Sequence, residues 1–333
     1  MKILAVNNYQ IEDGIGKYSR PAQHFWGVDY LREKGLIVDT ICYNGYSPNR
    51  FLSFANRVLF NIKILCDSRK YDAVISFHSP ILDFLGIFKS MGLMRANLYT
   101  FIHHYEKKWH VSGAFDKLFF ISRPIMKVFK EENPKSNAVY IAWGADLSFY
   151  DHYLNKEKSK DGTVRFFSNG RTNRDIDIII KATKETKTSL TLLRSDKIVV
   201  DGKVILSRKQ KEGALISRSE MMKYVNNTDI SLISVPEGFS RLSLSGLNSF
   251  IDATASGQPI IMSDNTNIGV DIDKLGIGLI YKAGDIDDLI TKIEFFKNNP
   301  EKITEYGANA RRYAERNSYS EFCKNLFVEI SNT

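Results

Sequence analysis

The stretch VRFFSNGRTNRDIDIIIKA, residues 164–182, sets Gly170, Arg171 and Arg174 between an apolar run and a helical pattern that begins near Asp175. Two guanidinium groups beside a helix N-terminus suit a pyrophosphate, which accepts paired hydrogen bonds and has its charge neutralised there. Asp175 and Asp177 could be taken for a metal-binding pair, but first-turn acids are what the helix dipole favours, and that reading is preferred. A second stretch, PEGFSRLSLSGLNSFIDATASGQPIIMSD at 236–264, places Glu237 after a strand and Ser245 at the start of a helix that stops at Gly257. Asn248 and Asp252, four apart, fall on one face of that helix. A carboxylate there could accept from two ribose hydroxyls while first-turn N–H groups receive phosphate oxygens; the plainer alternative is a solvent-facing Asp.

Two further features bear on chemistry. In LYTFIHHYEKKWH, His103 and His104 stand at the carboxyl end of an expected strand, where open α/β sheets bind ligands. A histidine there could donate to a sugar hydroxyl or act as acid or base near neutral pH, or it could be a structural hydrogen-bonding residue. The spacing to His110 is not that of a metal site. In NNYQIEDGIGKYS, Gly14 and Gly16 bracket the approach to the next helix and would let backbone N–H groups close on a ligand. The third glycine of a dinucleotide fingerprint is missing, so a nicotinamide dehydrogenase is not indicated.

These residues need a scaffold that brings strand ends together. Short apolar runs alternate with amphipathic stretches from KILAVNN through IVDTICYN, DAVISFH, NLYTFIH, KLFFIS and AVYIAW. That is the rhythm of a parallel sheet with crossover helices. A polar stretch, LNKEKSKDGT, reads as a linker. The rhythm then restarts with VRFFSNG, LTLLRS, KVILS, DISLISV, PIIMSD and GLIYK, with helices expected at about 174–186, 218–226, 247–256 and 286–297. The expected fold class is α/β, two Rossmann-like doubly wound domains: 1–155, 156–310, and a helical segment 311–333 with apolar residues at helical spacing.

With 333 residues the chain is long enough for two cores. Three scattered cysteines argue against a disulfide framework and suit a reducing compartment. The apolar run at the N-terminus is too short for a signal peptide or a span, so the cytoplasm is expected. Net charge is +8, and residues 1–150 carry 19 Lys and Arg against 13 Asp and Glu, or +6 of it. That bias fits phosphorylated ligands, an anionic membrane surface or simple solvation. Basic residues are not interleaved with aromatics in one stripe, so nucleic acid is not expected. FANRVLFNIKILCDSRK, 54–70, has an apolar stripe with Arg57, Lys63, Arg69 and Lys70 near its other side. It suits an ordinary crossover helix, with peripheral contact on the inner face of an anionic membrane as the alternative.

Taken in order, several motifs resemble one family. DATASGQPII is similar to the E-A-M-A-x-G-x-P segment of the nucleotide-sugar-dependent glycosyltransferases of the GT-B fold, the large retaining family four. SNGRTNR resembles their G-R-x-x-x-K stretch, FDKLFFIS their strand ending in Ser, IAWGAD their I-x-N-G-[VI]-D segment, and YGANARRYAERNSYSEF their closing helix. The resemblance implies two Rossmann-like domains facing across a cleft, a donor nucleotide held mainly by the C-terminal one, an acceptor on the N-terminal one, and a last helix crossing back. It implies that Arg171 and Arg174 hold the donor diphosphate, that Asp252 stands where a glutamate binds the ribose, and that His103 lies near the transferred sugar. Gly14 and Gly16 match the glycine loop after the first strand. The chain departs from the pattern at Leu244, where the first glutamate of E-x7-E would stand. Glu237, in PEGF, resembles the glutamate of the family's EGFG and would contact the donor sugar from a longer loop.

The expected activity is therefore metal-independent hexosyl transfer, retaining in the family's sense, from a nucleoside-diphosphate sugar to a hydroxyl of a glycan or lipid-linked acceptor, in bacterial surface polysaccharide or glycoconjugate synthesis. The sugar nucleotide is a substrate and no cofactor is expected. Two alternatives stay open: a sugar-nucleotide epimerase on the same architecture, and a non-catalytic nucleotide-sugar-binding subunit.

Overall fold

The computed structural model describes residues 1–12, 20–105, 114–155, 162–170, 173–207, 216–238 and 242–332. The chain divides into two compact units: the first holds Ala22–Trp143 with the N-terminal strand and the end of the last helix from Phe322, and the second holds Gly144–Glu321.

The first unit runs β1 (Lys2–Asn7), α1 (Val28–Glu33), β2 (Ile37–Cys42), α2 (Arg50–Asp67), β3 (Ala73–Ser76), α3 (Asp83–Ser90), β4 (Asn97–Ile102), β5 (Lys117–Phe120), α4 (Arg123–Glu132) and β6 (Ala138–Tyr140). Among the described residues its sheet has six strands in the order β2-β1-β3-β4-β5-β6, all parallel. Strands such as AVIS and KLFF are buried on both faces, which is why they read as continuous apolar runs. The amphipathic stretch before β2 does not form one long helix. Trp26 and Gly27 both take positive φ, 56° and 80°, and α1 starts only after them.

The second unit runs α5 (Leu147–Tyr153), β7 (Arg165–Asn169), α6 (Ile176–Glu185), β8 (Ser189–Leu193), β9 (Lys197–Val200), β10 (Lys203–Ser207), α7 (Arg218–Asn226), β11 (Ile230–Ile233), α8 (Leu247–Ala255), β12 (Ile260–Ser263), β13 (Gly278–Tyr281), α9 (Ile286–Asn298) and α10 (Pro300–Arg316). Its sheet has the order β10-β9-β8-β7-β11-β12-β13. Phe166, Ile179, Leu232, Ile261, Leu289 and Phe296 form the centre of its core.

One element departs from the sequence reading. KVILS was expected as another strand of the β/α rhythm, but β8, β9 and β10 form an antiparallel meander at the sheet edge. Asp201 and Gly202, at φ 49° and 80°, make the tight turn between β9 and β10. Paired positive φ values at an Asp-Gly step are the geometry of a two-residue hairpin.

The chain enters the second unit at Gly144 and leaves it near Ser318, and these two passages lie side by side. Ala145 and Ser318 form a parallel bridge, and Tyr319 N donates to Ala145 O at 2.8 Å. A Cβ on Gly144 would stand 2.0 Å from Asn317 O, so only glycine allows this approach. The last helix, α11 (Tyr319–Ser331), buries Phe322, Cys323, Leu326 and Ile330. It returns the chain to the first unit, where Phe322 packs against Trp26 and Phe101.

Candidate nucleotide site at the switch point of the second sheet

After β7 the chain moves outward through β8, β9 and β10, then returns to lay β11 on the other side of β7. The order of strands therefore reverses between β7 and β11. In open α/β sheets the crevice beyond the carboxyl ends of such a pair is where ligands bind. Asn169 and Gly170 end β7 at this edge, and Ser234 to Glu237 follow β11.

Gly170 has φ 146°, and a Cβ there would meet Arg174 Nε at 2.5 Å and Cζ at 2.7 Å. The missing side chain lets the Arg174 guanidinium lie against the backbone. It is held there by Nε donating to Asn169 O at 3.2 Å and Nη2 donating to Ser249 Oγ at 3.2 Å. Ser249, in the first turn of α8, donates in turn to Asn169 O at 3.0 Å. These acceptors are neutral. Burial brings the Arg174 guanidinium down to about 10, which leaves it charged near neutral pH. A guanidinium in a partly desolvated place at the carboxyl edge of the sheet favours an incoming anion.

α8 begins at Gly246, which has φ 101° and no side chain to cap the first turn. A Cβ on it would stand 2.8 Å from Ile233 Cγ2, so glycine is what allows the helix start to sit on β11. Ser245 precedes it, 3.2 Å from Ser243 by their hydroxyls, and Asn248 is exposed in the first turn. An uncapped helix start beside a guanidinium extends the anion-binding character of this edge.

Asp252 is not solvent-facing. It is 4% exposed, one turn below the exposed Asn248, and both of its oxygens are engaged. Oδ1 accepts from Tyr150 Oη at 2.7 Å; Oδ2 accepts from Asn169 Nδ2 at 3.0 Å and from Arg218 Nη1 at 2.8 Å. Burial opposes the charge on Arg218, but Asp252 and the hydrogen bond to it raise the guanidinium overall. Arg218 is placed by the start of α7, where Ser217 and Glu220 form a reciprocal cap. The amide of Asn169 thus joins Gly170, Arg174 and Asp252 into one cluster. Its own Oδ1 is buried and without a hydrogen-bond partner among the described residues.

Glu237 is exposed, and its side chain lies over Gly284, where a Cβ would meet Oε2 at 2.9 Å. Gly284 follows β13 and has φ 79°. Gly14, Gly16 and Arg171 lie outside the described residues. His103 belongs to the first unit, just past the carboxyl end of β4. Its Nε2 donates to Phe77 O at 2.9 Å, its ring stands edge-on to Trp26, and the His78 ring is 6.3 Å away. Burial, with His78 adding to it, pulls the imidazole down to about 3. The ring is therefore neutral near pH 7. With Nε2 carrying the proton, Nδ1 is left as a lone-pair acceptor.

Sequence reasoning passed over Asn169, Ser249, Tyr150 and Arg218. The S-R-S-E cap at 217–220 was a signal for Arg218, because it fixes the first turn of α7. Nothing local marks Tyr150. Among the described residues no group of His, Cys, Asp and Glu could hold a metal ion, and no helix is long and apolar enough to cross a membrane.

No family model matches the sequence, and no curated protein matches it. Solved structures do match. A sucrose-phosphate synthase from Thermosynechococcus elongatus superposes with a TM-score of 0.73 at 12% identity, covering 100% of this chain and 99% of its own. A glycosyltransferase from Rickettsia africae gives 0.65 at 17% identity, covering 99% and 98%. Anabaena HepE, solved in complex with UDP and glucose, gives 0.65 at 13% identity, covering 100% of both chains. The chain has the fold of these GT-B proteins, an α/β class with two Rossmann-like units, as the motif resemblance implied.

Proposed function

We propose that this protein is a glycosyltransferase that moves a sugar from a nucleoside diphosphate to a hydroxyl of a glycan or lipid-linked acceptor, in surface polysaccharide or glycoconjugate synthesis. The observation that carries this reading is the Arg174 guanidinium, laid over Gly170 at the β7/β11 switch point beside the uncapped start of α8. When the bond from the sugar's anomeric carbon to the diphosphate breaks, negative charge grows on the leaving phosphate oxygen. A cation fixed in advance stabilises that charge more in the transition state than in the ground state. Arg171 would join Arg174 in this role, and the guanidinium pair would make a metal ion unnecessary. The donor is consumed as substrate, so no cofactor is required.

The leaving phosphate can take the proton of the attacking hydroxyl, so retention needs no pair of carboxylates. Glu237 would orient the sugar. His103 would accept a hydrogen bond from a sugar or acceptor hydroxyl through Nδ1. The glycine loop with Gly14 and Gly16, Ser245 and Asn248 complete the set of expected contacts. The UDP and glucose bound by HepE support a uridine or related nucleotide as the donor's carrier.

A thermal-shift screen of nucleoside diphosphates and their sugars tests the reading, because a ligand of the native state raises its melting temperature. Stabilisation by one nucleotide sugar, followed by transfer of its labelled sugar to an acceptor, is the expected result. Recovery of the donor's sugar with inverted configuration at a ring carbon, with no transfer to an acceptor, would identify an epimerase instead. One observation favours a non-catalytic binding subunit: both oxygens of Asp252 are already engaged, and Leu244 replaces an acid. Tight nucleotide binding with no turnover of any donor would decide for it.

A further inference from the structure

The structure assigns to Arg218 a second cationic contact with the diphosphate of a bound nucleotide, at an edge where the buried carboxylate of Asp252 does not read the ribose. This inference rests on the nucleotide-sugar reading above and adds a residue which that reading leaves out. The path of the chain brings Arg218 to the ligand edge. β8 runs parallel to β7, β9 against β8, and β10 against β9, so β10 again ends at the carboxyl edge of the sheet. β11 is parallel to β7, so α7 must run back from that edge to the start of β11. Arg218 is the first residue of α7, and the reciprocal cap of Ser217 and Glu220 fixes its turn.

There the guanidinium stands outside the carboxylate. The side chain of Arg218 is 28% exposed and that of Asp252 6%, with Nη1 and Oδ2 2.8 Å apart. Oδ2 also accepts from Asn169 Nδ2, and Asn169 O receives Nε of Arg174. The two guanidinium groups are therefore linked through one residue, Asn169, at the end of β7. Oδ1 of Asp252 is taken by Tyr150. Ribose hydroxyls approaching as donors meet a cation in front of the acceptor they need. Phosphate oxygens are acceptors, and Nε and Nη2 of Arg218 have no hydrogen-bond partner among the described residues. Nη1, held by the carboxylate, orients the fork in advance, so less freedom is lost when a phosphate arrives. Two cations outweigh the one carboxylate, and the edge keeps a net attraction for an anion.

Isothermal calorimetry on the full chain tests this with UDP, ADP and GDP, each compared with its 2′,3′-dideoxy form. For a diphosphate that binds, the dideoxy form is expected within about threefold of it, because no carboxylate hydrogen bond to the ribose is lost. Arg218→Gln should weaken the diphosphate by about tenfold or more and make its binding less steeply dependent on salt. That variant also breaks a pair which holds the unit together, so Asp252→Asn with Arg218→Leu serves as the second: stability recovers in part, and the loss of affinity stays. Asp252→Asn alone, with Arg218 kept, should bind the diphosphate at least as tightly as the parent. A dideoxy penalty of about tenfold or more in the parent would overturn the inference, as would parent-like diphosphate affinity in both Arg218 variants. Either of those results, with the diphosphate still bound by the parent, leaves the nucleotide reading in place. Binding of none of the diphosphates removes that reading and this inference with it.

Discussion

Arg218 Nη1 and Asp252 Oδ2 lie 2.8 Å apart, the first at the start of α7 and the second buried in α8. The pair ties α7 to α8 within the second unit. Among the described residues, removing Arg218 would leave a buried carboxylate with two neutral donors, Tyr150 and Asn169. Arg218→Ala is expected to lower stability by about 2 kcal/mol, with the partial exposure of Arg218 keeping the loss below that of a fully buried pair. Asp252→Asn with Arg218→Leu should recover part of the loss, read from urea unfolding midpoints.

Arg174→Ala should weaken binding of a nucleoside diphosphate by about 1.5–3 kcal/mol, the scale of a lost charge-assisted hydrogen bond. Gly170→Ala should do the same without touching a charge, because its Cβ occupies the place of the guanidinium. Isothermal calorimetry reads both. Unchanged affinity in both variants would remove the phosphate assignment.

The half-buried imidazole of His103 couples folding to acid. Its folded value, about 3, lies below the ordinary 6.5, so between those values the unfolded chain holds a proton that the native chain does not. Its contribution to stability is fully present above about pH 6.5 and is lost progressively as the pH falls toward 3. The urea midpoint of the parent should therefore drop further between pH 7 and pH 5 than that of His103→Gln. For catalysis, His103→Ala should lower turnover more than nucleotide affinity, and an equal loss of both would mark a structural role.

At the edge of the second sheet, Gly202→Ala is expected to cost about 1 kcal/mol. The position has open space around it, so the whole cost is the positive φ of 80°. Asp201→Ala should cost more than Asp201→Asn, since its carboxylate accepts from Leu190 N at 2.8 Å and Ser189 Oγ at 3.2 Å. Thermal melts of the three variants distinguish these terms.

Much of the fold was legible because parallel strands buried on both faces read as unbroken apolar runs, and because Ser, Gly and Pro punctuate the helices between them. The meander of β8, β9 and β10 was misread even though V-V-D-G-K-V carries the tight-turn signal, since the β/α rhythm around it suggested another crossover. The guanidinium at 174 was legible from a glycine and a helix start next to it. The surroundings of Asp252 were not: Arg218, Asn169 and Tyr150 reach it from 34, 83 and 102 residues away. Local pattern places a carboxylate on a helix face, but tertiary packing decides whether that face meets water or a tyrosine. The neutral state of His103 was hidden for the same reason, because the rings around it come from several elements.

Gly144 has a consequence for how the polypeptide could be cut. Because Ala145 pairs with Ser318, the segment between them starts and finishes at one neck, and the first unit behaves as a host that carries the second as an insert. Excision through that neck should yield an autonomous module whose free ends almost touch, ready for head-to-tail closure. The host's ends would need only a short Gly-Ser splice. A bulkier residue at 144 would pry the neck open and loosen guest and host together.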